Sequence, residues 1–203
     1  MKKLSLTLLS LLFVNQMNAQ DITLPAPQKK GGKPLMEALN ERKSNRTFSE
    51  QKLTEQELSD LLWAANGINR EDGRRTAPSA RNCQEIEIYV VMPEATYLYD
   101  YKTHKLTFVK KGDFRTLATN DFAHKAPILL IYVANYDKMS GMSDDAKELY
   151  GATDCGNVSQ NVYLYCASVG FHTVALGSLD REKAKEEFEF NGKAILAQPI
   201  GKP

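Results

Sequence analysis

The chain holds 203 residues, 42% of them hydrophobic and 25% charged, with 26 basic against 25 acidic side chains. That length suits one globular domain with a sizeable core, and a net charge of +1 gives no basic footprint for nucleic acid. Aromatic content of 9% with 12 glycines excludes a disordered or fibrous chain.

Residues 1–19 read differently from the rest. Lys2 and Lys3 precede an apolar run from Leu4 to Val14, and polar residues then lead to Ala19. A positive end, a short apolar segment and a small residue predict an export signal cleaved after residue 19. The apolar run is shorter than the roughly 20 residues a membrane span needs. The expectation is therefore an exported, periplasmic protein with no membrane association once the signal is cut. Residues 20–33, with Pro25, Pro27 and Gly31-Gly32, read as a linker. Residues 34–203 are left as the domain.

Pro34 suits the first turn of a helix whose apolar side is Leu35, Met36, Ala38 and Leu39. Thr54 and Glu57 form a capping box, and Leu58, Leu61, Leu62 and Ala65 continue at helical spacing to Gly67. A polar, turn-rich stretch runs from Arg70 to Asn82. Beyond it, Ile86, Ile88 and Val90 lie in a β-branched run that reads as a buried strand. Tyr97 to Tyr101 and Leu106 to Val109 form a predicted hairpin, and Ile128 to Val133, just after Pro127, a central strand. A helix is predicted from Asn157 to Val169, with Val158, Val162, Tyr165 and Cys166 inward and Gly170 as its stop. Phe171 to Leu176 reads as a strand, Asp180 caps a helix to Phe188, and Ala194 to Pro199 makes the last strand. Elements mixed without strict alternation predict an α+β fold, a central mixed or antiparallel sheet flanked by helices.

Cys83, Cys155 and Cys166 allow one disulfide at most, and neither they nor His104, His124 and His172 show metal-ligand spacing. No metal site is expected. Three short stretches carry chemistry instead. Arg42, Lys43 and Arg46 surround Ser44, offering planar forks, a point charge and a short donor to a phosphate ester or carboxylate; a solvated basic turn explains the same composition. Thr76 to Asn82 presents small residues that let backbone approach a flat ligand, with Ser79 and Asn82 as directed hydrogen-bonding groups; a plain surface loop is the alternative. Val174 to Ser178 ends a predicted strand where Gly177 permits close backbone approach, or is simply a turn capped by Asp180.

In their order these stretches resemble the flavin-dependent nitroreductase family. Arg42-Lys43-Ser44-Asn45-Arg46-Thr47-Phe48 matches the family's Arg-x-Ser-x-Arg-x-Phe opening. Leu53-Thr54, Trp63 to Gly67 and Ala77-Pro78-Ser79-Ala80-Arg81-Asn82 follow in the family's order, and Asp154 to Gly170 is similar to its long central helix. The likeness runs from Leu35 to Pro203.

The resemblance implies a homodimer with FMN held at the subunit interface. Arg42, Ser44 and Arg46 would bind the phosphate and ribityl end, with Lys43 adding charge or backbone contacts. Pro78, Ser79, Ala80 and Asn82 would reach the flavin from the partner subunit, and Leu176 and Gly177 would lie near its ring. The implied activity passes hydride or electrons from a reduced donor such as NAD(P)H to a small organic acceptor such as a nitroaromatic or quinone. A non-catalytic flavin-binding protein and a dehydrogenase of the azoline-oxidase type are the alternatives. Glu85 stands where many relatives carry proline, so the approach to that strand is expected to differ. Lys202 is the cation that would replace the basic phosphate contact many relatives carry on a C-terminal arm.

Overall fold

The computed structural model describes residues 20–203, so the signal expected over 1–19 lies outside the described residues. Seven strands form one sheet in the order β1-β4-β3-β2-β5-β7-β6. They are β1 (Ile22–Thr23), β2 (Ile86–Val91), β3 (Ala95–Asp100), β4 (Lys105–Lys111), β5 (Ile128–Ala134), β6 (His172–Thr173) and β7 (Lys193–Gly201). Every pairing among them is antiparallel. The helices are α1 (Leu35–Glu41), α2 (Glu55–Asn66), α3 (Asp144–Val169) and α4 (Arg181–Phe188). This is the expected α+β arrangement.

β5 explains why the sheet has two cores. All seven of its residues are buried. Ile128, Leu130, Tyr132 and Ala134 face one cluster, with Leu58, Leu61 and Leu62 of α2 and Val158 and Val162 of α3. Leu129, Ile131 and Val133 face the other, with Ala184 and Phe188 of α4. Alternation along the strand thus feeds both faces, and a continuous apolar run results because helices cover both. α3 approaches closely at Gly151, where a Cβ would lie 2.9 Å from the Ala134 methyl.

Four expectations need correction. α3 begins at Asp144 instead of Asn157, with Ser143 accepting the Ala146 amide and Asp144 and Asp145 in the first turn. Those capping and dipole signals are overshadowed in sequence by Gly151 and Gly156, which weaken helical propensity. On α1 only Ala38 is buried; Leu35, Met36 and Leu39 are 62%, 75% and 43% exposed, so the predicted apolar side faces outward. The strand expected over Phe171 to Leu176 shrinks to β6 plus one bridge from Leu176 to Ala197. The ladder is interrupted at Val174, which the register sets opposite Pro199, a residue with no N–H to donate, while the Ala175 amide, on the side of the chain away from β7, donates to the Tyr163 hydroxyl at 2.8 Å.

The fourth correction concerns residues 20–33, which are part of the domain and not a loose linker. β1 pairs with β4, Leu24 is buried in the α2/α3 core, and the Phe108 amide donates to Asp21 Oδ1 at 2.9 Å. Ser59 Oγ donates to the Pro25 carbonyl at 2.6 Å. Its one proton being used there, His104 Nε2 donates to Ser59 Oγ at 2.7 Å and Nδ1 accepts from Tyr99 Oη at 2.9 Å. Burial lowers the His104 imidazole below its ordinary value, which keeps this chain of bonds neutral. Leu24→Ala should therefore destabilise the domain by about 2–4 kcal/mol, read as a lower denaturant midpoint; an unchanged midpoint would return the segment to a linker.

Candidate functional site

The first stretch leaves α1 as extended chain. Arg42 sits at the helix end with its guanidinium 5.2 Å from the Tyr163 ring centre. Ser44 Oγ lies 3.0 Å from Tyr163 Oη. Arg46 is exposed, its guanidinium 6.0 Å from the Phe122 ring. Among the described residues, the ion pairs include none of Arg42, Lys43 and Arg46. Three cations without a carboxylate partner fit an anionic guest better than a neutralised turn. Lys43 departs from the others: with Asn45 it lines a cavity of about 190 Å³ whose wall includes Tyr163, His172 and Thr173 but not Arg42, Ser44 or Arg46. The Asn45 amide donates to the Thr173 carbonyl at 2.9 Å, and His172 Nδ1 lies 2.6 Å from the Thr47 carbonyl oxygen, so the stretch is stitched along β6.

The third stretch meets the first. Tyr163 Oη accepts the Ala175 amide while contacting Ser44 Oγ, placing Leu176 and Gly177 just beyond the basic cluster. Leu176 is buried, and both its backbone groups pair with Ala197, at 2.7 and 3.0 Å. Gly177 is exposed, and a Cβ placed on it would meet nothing within 4 Å. Its carbonyl accepts from Arg181 Nη2 at 3.1 Å and from the Leu179 amide at 3.0 Å, which fixes the turn. The backbone at Gly177 is therefore rigid, open and reachable by a flat group.

The second stretch is held elsewhere. Asp154 Oδ2 accepts the Ala80 amide at 2.7 Å, and Asn157 Nδ2 donates to the Pro78 carbonyl at 3.4 Å. Ser79 Oγ accepts the Gln84 amide at 2.9 Å, and Asn82 Oδ1 accepts from Gln84 Nε2 at 3.2 Å. Arg81, Asn82 and Gln84 take φ of 53, 56 and 52°, a left-handed conformation costly for Arg and Gln. At about 1.5 Å per residue, Asp154 and Tyr163 lie roughly 13 Å apart along α3. The chain thus brings Arg42, Ser44, Arg46, Leu176 and Gly177 to one end of α3, and Pro78, Ser79, Ala80 and Asn82 to a point farther back.

Sequence reasoning missed Tyr163, which lies beside the inward stripe of α3 and carries no capping or motif signal. It also proposed Lys202 as a phosphate contact. Lys202 is instead paired with Glu57 at 2.9 Å, its side chain 17% exposed. All three cysteines are free thiols, and burial pushes Cys155 up to about 12. Among the described residues, no His, Cys, Asp and Glu grouping could hold a metal ion.

The model of the Nitroreductase family matches residues 39–202. The chain belongs to the nitroreductase family. A Methanocaldococcus jannaschii protein assigned as a nitroreductase is 32% identical over 179 residues, covering 83% of this chain and 90% of the relative. A crystal structure of a Ralstonia eutropha protein, likewise assigned, superimposes with a TM-score of 0.86 at 40% identity, over 91% of this chain and 90% of that one. A Staphylococcus epidermidis structure assigned as an NAD(P)H:FMN oxidoreductase shares the fold, with a TM-score of 0.65 at 17% identity over 87% of this chain and 91% of that one. As a nitroreductase-family protein, the chain is assigned to the oxidoreductases.

Tyr163 is the joint of the site. Tyr163→Phe should leave the Ala175 amide without its acceptor and cost about 1–3 kcal/mol, measured by denaturant unfolding. Amide exchange at Ala175 should rise in parallel, and an unchanged exchange rate would show that the joint is not made.

Proposed function

We propose that the protein is an FMN-dependent oxidoreductase that passes electrons from a reduced donor, NAD(P)H or a substitute outside the cytoplasm, to a small organic acceptor such as a nitroaromatic or quinone. The observation that carries this reading is the tie through Tyr163, which sets an unneutralised basic cluster beside the open backbone of Gly177. Arg42 and Arg46 would hold the phosphate, with Ser44 donating to a phosphate or ribityl oxygen. Leu176 and Gly177 would carry one face of the ring, since a glycine turn lets a planar group reach backbone. When bound, FMN would supply the hydride chemistry that no side chain here can perform. The protein's own part is to bind, orient and leave one side open to an acceptor.

A homodimer belongs to the same proposal. Leu35, Met36 and Leu39 of α1 are exposed together with Val169 at the end of α3, an apolar surface of the kind a partner covers. The separation of Pro78, Ser79, Ala80 and Asn82 from the basic cluster supports their serving the partner subunit's flavin. Lys43, lining the neighbouring cavity, would act on the phosphate through long-range charge only. Export through residues 1–19 completes the reading, and cell fractionation with N-terminal sequencing tests it: an unprocessed cytoplasmic chain would overturn that part alone.

Incubation with FMN followed by desalting should leave a yellow protein with about one flavin per subunit. A colourless product would remove the flavin reading. Arg42→Ala should weaken FMN binding roughly 10- to 150-fold, the equivalent of losing about 1.5–3 kcal/mol from a charge-assisted contact. Titration of flavin fluorescence measures it, and unchanged affinity would take Arg42 out of the site.

A further inference from the structure

Glu85 sits between the strained segment 79–84 and β2, and it is fully buried. Neither of its carboxyl oxygens meets a donor among the described residues, although its backbone carbonyl accepts the Asn135 amide at 3.0 Å. Its side chain lies within hydrogen-bonding reach of Asp154, which is itself 4% exposed. Two carboxyl groups placed together away from water cannot both be ionised. Asp154 accepts the Ala80 amide; Glu85 has only its own backbone amide close by, outside hydrogen-bond geometry. One shared proton, carried by Glu85, satisfies both groups.

The other charged and titratable groups nearby do not supply that donor. Arg75 is buried against the Tyr101 ring and donates from Nη1 and Nη2 to the Ile86 and Gln84 carbonyls, at 3.1 and 3.2 Å, while its Nε meets no acceptor, Glu85 included. Cys155 lies beside Asp154 on α3, and Cys83 and Arg81 come from the strained segment. Burial raises Glu85 to about 7; its own backbone amide pulls it down, the adjoining Asp154 pushes it up, and Arg75 pulls it down.

We propose that Glu85 is a positioning residue: as the neutral acid it donates its proton to Asp154, and the pair clamps residues 79–84 through the Ala80 amide. That the clamped segment serves FMN rests on the function proposed above; the clamp itself does not. Losing the proton to solvent sets a second negative charge against Asp154, which the Glu85 backbone amide and Arg75 offset only in part. Separation of the two carboxylates relieves the repulsion, releases the Ala80 amide and frees the left-handed residues Arg81, Asn82 and Gln84 to relax. The sign follows from the raised value: the neutral form and the clamp prevail below about 7 and are lost above it.

The test is amide exchange at Ala80 in the FMN-free protein across about pH 6 to 8, corrected for intrinsic exchange, with FMN affinity measured over the same range. Wild-type protection should fall roughly tenfold toward the alkaline end. Glu85→Gln, whose amide can still donate to Asp154 but cannot ionise, should stay protected throughout. Flat wild-type protection, or an identical titration in Glu85→Gln, would overturn the clamp. FMN affinity should weaken in parallel in the wild type and stay flat in the variant. Titrating protection with invariant FMN affinity would support the clamp and detach it from the flavin reading. The carboxyl carbon of Glu85, followed by ¹³C NMR in the wild-type chain, decides without a variant: titration near neutrality supports the proposal, and titration in the ordinary carboxylate range overturns it.

Discussion

One tyrosine hydroxyl fixes how the candidate site is built. Tyr163 Oη accepts the Ala175 amide and meets Ser44 Oγ, so a side chain of α3 ties the basic turn after α1 to the segment between β6 and α4. The tie satisfies the Ala175 amide on the side of the chain away from β7, and past the Leu176–Ala197 bridge the segment opens into the Gly177 turn. The helix that bears this hydroxyl is seated on β5, close enough at Gly151 that a methyl would collide.

Much of the fold was legible because its signals are local. The Thr54–Glu57 capping box is formed with both of its bonds, and the run after Pro127 becomes a strand buried on both faces. What could not be read depends on contacts distant in sequence. α1 looks amphipathic, yet the side that meets α3 offers little more than Ala38, and its larger apolar residues point outward. The prolines and glycines of residues 20–33 suggest a tether, but β1 finds its partner in β4. Arg42, Ser44 and Gly177 were legible as chemical types suited to an anion and a flat ring. Their assembly was not, because it runs through Tyr163, a residue that periodicity treats as the flank of a core helix.

Two points along α3 hold their polar groups differently. At the Tyr163 end, Arg42 and Arg46 stand over aromatic rings, and such contacts leave guanidinium hydrogens free for an anion. Near Asp154, at mid-helix, polar groups are consumed internally: Ser79 by Gln84, Ala80 by Asp154, Asn82 by Gln84. The first leaves donors open, and the second spends its donors on holding a shape. A strained segment retains an uncommon conformation only when its surroundings over-determine it, and the bonds converging on residues 79–84 do so.

The seam between β1 and β4 bears on the order in which the molecule folds. Asp21 and Phe108 are separated by 87 residues, so this sheet edge closes only after the β3–β4 hairpin exists to receive it. Contacts across so long a loop form late, since its closure entropy is met before the contact gives any return. Until then β4 is an unpaired edge, open to another chain. The residues nearest the start of the folded domain are therefore its final latch, and chemistry attached just ahead of Asp21 would act on aggregation during folding more than on the finished site.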